Sequence, residues 1–169
     1  MRVIVSDTSC LIDLRKVRLL EAFLRTPFER VIPYTIFEDE LLRFTNEERQ
    51  LIAEHMEIVD SPSEQVIRAR GVNTANPALT LNDCFAYVIA ESLEACVLLT
   101  GDRSLRVLAE RNNIEVHGVL WALDMIREAA LVPVSELIAA LEYFRDDQTV
   151  HVPREHITRM LSRYRRLGR

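Results

Sequence analysis

Much of what could anchor a function is missing from this chain of 169 residues. No apolar run approaches the ~20 residues that cross a bilayer. The N-terminal apolar run is too short for a secretory signal and is followed at once by Asp7. Nothing therefore points to a membrane, and the expected compartment is the cytoplasm. The three cysteines, Cys10, Cys84 and Cys96, are an odd number without a C-x-x-C pair. That argues against a zinc knuckle or a disulfide framework and leaves reduced, mostly buried thiols. The four histidines are scattered and form no H-E-x-x-H pattern. Among 21 basic residues, Lys16 is the only lysine. There are no internal repeats and no low-complexity tracts.

What is present suits one soluble domain with a real core: 49% hydrophobic residues and a mean hydropathy of +0.02. The net charge of −5 is unevenly spread. Over residues 151–169, six arginines against one glutamate give +5, so the rest of the chain carries −10. An acidic body that handles phosphates needs a metal ion in between, or needs the basic tail.

The stretch Val3-Ile4-Val5-Ser6-Asp7-Thr8-Ser9 organises the rest. Its β-branched run is of the kind buried on both faces at the centre of a parallel sheet. Asp7 follows where the strand must turn, and Thr8 and Ser9 can cap the next helix. Further strands are expected at 30–33, 57–59, 96–99 and 114–116. Helices are expected at 11–24 with a break near Arg15-Lys16, then at 34–44, 46–55, about 61–70, 80–94 and 103–112. Three more follow the fifth strand, at 119–129, 133–144 and from Pro153 onward. Residues 71–77 read as a loop inside the domain. Strands alternating with helices at this spacing predict an α/β fold, a five-stranded parallel sheet in the order 3-2-1-4-5 with helices on both faces. Residues 1–130 would form this unit, and 131–169 a helical C-terminal extension with a basic tail in the same globule.

In that order the first and fourth strands are neighbours, so Asp7 and Asp102 face one crevice at the carboxyl ends of the strands. Glu38, after the second strand, and Asp83, in the first turn of the helix before the fourth, can reach it. Each has a plainer alternative. Asp7 could merely cap its helix, Asp83 and Asp102 could be ordinary first-turn residues favoured by the helix dipole, and Glu38 one of three surface acids, Glu38-Asp39-Glu40. Together they would repel one another unless a cation neutralises them or some take up protons. Arg103 could pair with Asp102, but one arginine cannot balance four acids. An all-oxygen site suits Mg²⁺ or Mn²⁺, which can orient and deprotonate water at a phosphodiester. A phosphotransfer domain also puts an aspartate after its first strand. It would want a second acid where Ser9 stands and a lysine near the last strands, and both are missing. Cys10 and Cys84 flank the acids without a histidine in the pattern and read as packing residues.

These segments carry a resemblance. Val5-Ser6-Asp7-Thr8-Ser9, Thr35-Ile36-Phe37-Glu38, Leu79-Thr80-Leu81-Asn82-Asp83 and Leu98-Leu99-Thr100-Gly101-Asp102-Arg103-Ser104-Leu105 resemble, in order and spacing, a PIN domain, in particular the prokaryotic VapC-type toxins. The resemblance implies a three-layer PIN-like fold and a Mg²⁺-dependent (or Mn²⁺-dependent) endoribonuclease, a hydrolase. It implies four catalytic acids, Asp7, Glu38, Asp83 and Asp102, with Asp7, Asp83 and Asp102 holding the metal. Thr8 and Thr100 match hydroxyl-bearing positions near it. Glu40 is the alternate for the second acid, because the family often places its glutamate before a leucine and Glu40 precedes Leu41. Glu38 keeps the usual threonine-to-glutamate step. The two point to different faces of a helix, so at most one can serve.

The resemblance also implies partners: an RNA substrate, a cognate antitoxin covering the acidic crevice as in a type II toxin–antitoxin pair, and a second copy in a homodimer or higher oligomer. Arg103, Arg159, Arg163, Arg165 and Arg166 could contact an RNA backbone; the alternative for the tail is a solvated helix face or a salt-bridging arm against an acidic neighbour. Trp121 and Phe144 read as core or subunit interface, not as base-stacking residues. The competing functional reading is a non-catalytic RNA- or protein-binding module on the same scaffold with an incomplete metal site.

Overall fold

The computed structural model describes residues 3–167; Arg169 of the basic tail lies outside them. Five parallel strands form one sheet in the order β3-β2-β1-β4-β5, as the alternation of strand and helix predicts. They are β1 (Val3–Ser6), β2 (Glu29–Pro33), β3 (Glu57–Val59), β4 (Cys96–Leu99) and β5 (Glu115–His117). β1 sits between β2 and β4, with Val5 opposite Leu98 and Ser6 opposite Leu99. This central pair is apolar because both faces are covered: Ile4, Val5, Val97, Leu98 and Leu99 are fully buried. The register brings the ends of β1 and β4 level, so Asp7 and Thr100 emerge side by side.

Helix α1 (Thr8–Lys16) starts from Asp7 and stops where Arg18 takes a left-handed backbone, φ 59°. A short α2 (Leu20–Leu24) follows, so the expected break lies two residues further on. After β2, α3 (Tyr34–Asp39) is only six residues long and gives way to a 3₁₀ turn at Leu41–Arg43. Helix α4 (Asn46–His55) has the reciprocal Thr45–Glu48 capping box that its sequence signals.

Helix α5 (Ser63–Ala75) corrects the expected loop at 71–77. Gly71 does not break it, since its missing side chain faces open space and an exposed glycine in a helix costs only about 1 kcal/mol. The stop is Asn76, which leaves the helical region before Pro77 (φ −131°, ψ 77°). Helices α6 (Leu81–Glu91) and α7 (Arg103–Arg111) complete the layers. Beyond β5, α8 (Val119–Glu128), α9 (Val134–Asp146) and α10 (Arg154–Leu167) pack in sequence. Their apolar faces (Leu137, Leu141, Phe144, Ile157, Leu161 and Tyr164) continue the buried core. Among the described residues no helix is long and apolar enough to cross a membrane.

Candidate active site

Asp7 is the best-buried acid of the crevice, only 4% exposed. It caps α1 by accepting from the Ser9 amide at 2.8 Å and the Ser9 hydroxyl at 2.6 Å. Its other oxygen accepts from the Thr100 hydroxyl across the strand boundary. Thr100 in turn accepts from the Asp102 amide at 2.9 Å, and Ser9 from the Gly101 amide at 2.7 Å. The turns after β1 and β4 are thereby tied together. Gly101 makes this approach feasible, because a Cβ there would lie 3.3 Å from the Ser9 hydroxyl.

Asp102 caps α7 through the Leu105 amide at 2.7 Å. Asp83 shares a capping box with Thr80, accepting from its amide at 2.7 Å. Asp83 thus sits in the first turn as its plainer alternative had it, whereas Asp102 lies one step earlier, at the N-cap, as Asp7 does for α1. The question is what else they do. None of Asp7, Glu40, Asp83 and Asp102 is in an ion pair among the described residues. Burial pushes Asp7 up from the usual 3.8 to about 6 against its three hydrogen bonds, and the charge of Asp83 pushes the same way. Asp83 is raised mainly by burial, opposed by the Thr80 bonds, with the charges of Asp102 and Glu40 adding to the rise. These acids thus feel one another across one crevice.

Glu38 and Glu40 part company at the end of α3. Glu38 is paired with Arg49 at 3.4 Å. Glu40, where α3 turns into the 3₁₀ segment, accepts from the Thr8 hydroxyl and from the Asn82 amide at 2.8 Å. The structure brings Glu40 to Thr8 and to the helix that carries Asp83, and ties Glu38 to α4. Ser9 and Asn82 stand out only in three dimensions; in the sequence both read as helix-cap residues. The thiols are unsuited to nucleophilic work: burial pushes Cys84 up to about 11 and Cys10 well above its usual range.

The basic residues divide. Arg103 is exposed at the start of α7. Arg163 binds Asp124 of α8, and Arg165 binds Glu142 of α9 at 2.7 Å. Arg159, Arg163 and Arg166 line a hollow with Trp121.

A family model described as a PIN domain matches residues 3–166. The chain belongs to the PIN domain family. A search among curated proteins finds no match. PIN domains are generally nucleases that use divalent ions, and the oxygen-only, uncompensated acids of this PIN domain are the right donors for a hard cation. As the side chains stand, no three of Asp, Glu, His and Cys among the described residues are arranged to hold an ion.

Proposed function

We propose that this PIN domain is a Mg²⁺- or Mn²⁺-dependent endoribonuclease of VapC type, the toxin of a type II toxin–antitoxin pair. Its centre is formed by Asp7, Glu40, Asp83 and Asp102. The observation that carries this reading is the crowding of four acids without an ion-pair partner among the described residues, one of them buried and held near pH 6. Asp7, Asp83 and Asp102 would hold the ion. When bound, it supplies charge neutralisation at the scissile phosphate and an activated water. The chain's own residues do the positioning. Ser9 and Thr100 fix both oxygens of Asp7. Thr8 and Asn82 hold Glu40 so that it can orient the attacking water and take its proton. Glu40 is preferred over Glu38 because Glu38 is engaged by Arg49.

An antitoxin would place a cation among these acids, which have none of their own among the described residues. Incubation with mixed RNAs, with and without Mg²⁺, tests the activity. Cleavage should need the ion and vanish in Asp102→Asn; cleavage persisting in chelator would overturn the reading. A second reading, a binding module with an incomplete metal site, draws support from the Thr80–Asp83 box and the scattered ligands. A melting temperature indifferent to Mg²⁺ and Mn²⁺, together with RNA binding, would favour it.

A further inference from the structure

A hollow of about 460 Å³ lies between α8 and α10, outside the acid crevice. Trp121, Asp124, His156, Arg159, Arg163 and Arg166 are among its walls. Three guanidiniums thus face one carboxylate. Asp124 is already claimed by Arg163, by the Tyr164 hydroxyl at 2.7 Å and by Arg127 at 3.5 Å. Arg166 gives its Nε to the Ser162 carbonyl at 3.2 Å, and Arg159 has no ion-pair partner among the described residues. Positive charge is left over there, next to an aromatic plane.

That plane is braced. Trp121 stacks on His117, centroids 4.8 Å apart and planes 8° from parallel, and Phe28 leans on it at 5.9 Å. Trp121, which the sequence reads as core or subunit interface, is only half-buried and borders the hollow. A rigid aromatic surface beside uncompensated arginines suits a ligand with both a flat ring and phosphates. A second hollow, of about 340 Å³, shares Leu120 and His156 with the first. It runs past His151 and Gly118 to Thr100 and Gly101, the turn that holds Asp102. The two hollows adjoin and form a groove from the Thr100–Gly101 turn, which joins the end of β4 to Asp102, to Trp121.

We propose that this groove holds the RNA strand as it leaves the acid crevice, with one base against Trp121 and the neighbouring phosphates on Arg159 and Arg166. An acidic peptide would also suit the arginines, but a nucleotide chain brings a flat base for Trp121 together with phosphates for the arginines. The proposal rests on the ribonuclease reading of the crevice, yet the binding it describes needs no turnover.

Trp121 is the only tryptophan, so its emission reports on this hollow directly. The full chain carrying Asp102→Asn is titrated with a short oligouridylate in Mg²⁺ buffer. The expected result is saturable quenching. In the same background, Arg159→Ala with Arg166→Ala should weaken binding by about tenfold or more; both side chains are exposed, and melting curves check the fold. Trp121→Leu, followed by gel shift of the labelled oligonucleotide, should weaken it by about tenfold. Unmoved emission, equal affinity in the arginine variant, or quenching by polyglutamate in place of oligouridylate would each overturn the proposal. The two readings fail separately. RNA cleavage by the unaltered chain with emission unmoved sinks the groove alone. Quenching with no cleavage in Mg²⁺ or Mn²⁺ sinks the nuclease alone.

Discussion

Around the carboxyl ends of β1 and β4, Asp7, Glu40, Asp83 and Asp102 lie within electrostatic reach of one another without an ion pair among the described residues, and Asp7 is 4% exposed. Along α10 lie five described arginines, all exposed, of which Arg163 and Arg165 are matched with Asp124 and Glu142. By count the basic stretch looks the more conspicuous charge feature. By energetics it is the milder one, because exposed ion pairs contribute about 0–1 kcal/mol each. Burying like charges without partners opposes folding, and such an arrangement points to a function that needs it. The unmatched charges, the four acids in one group and Arg159 and Arg166 in the other, are where binding is to be sought.

The sharpest way to break this contrast is Asp7→Asn. Cleavage should fall at least about a hundredfold, and the rise in melting temperature expected on adding Mg²⁺ to the unaltered chain should be absent. If both survive, Asp7 is a cap and nothing more. Next comes the matched pair of variants at the end of α3. Glu40→Gln should reduce kcat about tenfold or more, whereas Glu38→Gln should change it less than about threefold, since it loses only a partly exposed pair with Arg49. The reverse order would restore the threonine-to-glutamate spacing as the guide.

Stability without metal offers a third measurement. Asp7 ionises near 3.8 when unfolded and at about 6 when folded, so the native state holds its proton more tightly. Stability from this group is full below pH 4 and is lost as pH rises toward 6, by something on the order of 3 kcal/mol. Denaturant melts in chelator should show that loss, and Asp7→Asn should flatten it. The smallest effect belongs to the basic helix: Arg165→Ala should cost less than about 0.5 kcal/mol in the same melts.

The parallel sheet, its order and the placement of Asp7 and Asp102 after adjacent strands were legible because apolar runs and turn chemistry are local signals. Three things were not. Whether Glu38 or Glu40 turns to the crevice depends on where α3 tightens into a 3₁₀ turn, and no residue there marks the change. The run of α5 through Gly71 was hidden because only Ala69 and Val72 are buried along the helix, too few to give a periodic stripe. Ser9 and Asn82 look like caps in the sequence, and their ties to Gly101 and Glu40 span 92 and 42 residues.

Thr100 sits between two claims: its hydroxyl gives its single hydrogen to Asp7 while receiving the one from the Asp102 amide. If Asp7 took up a proton, that hydrogen could point the other way, and the Thr100 hydroxyl would need a fresh acceptor. A cation that kept Asp7 charged would lock the present orientation. Loading at one strand end would then be communicated to its neighbour by the swivel of a single O–H bond, with no movement of the backbone.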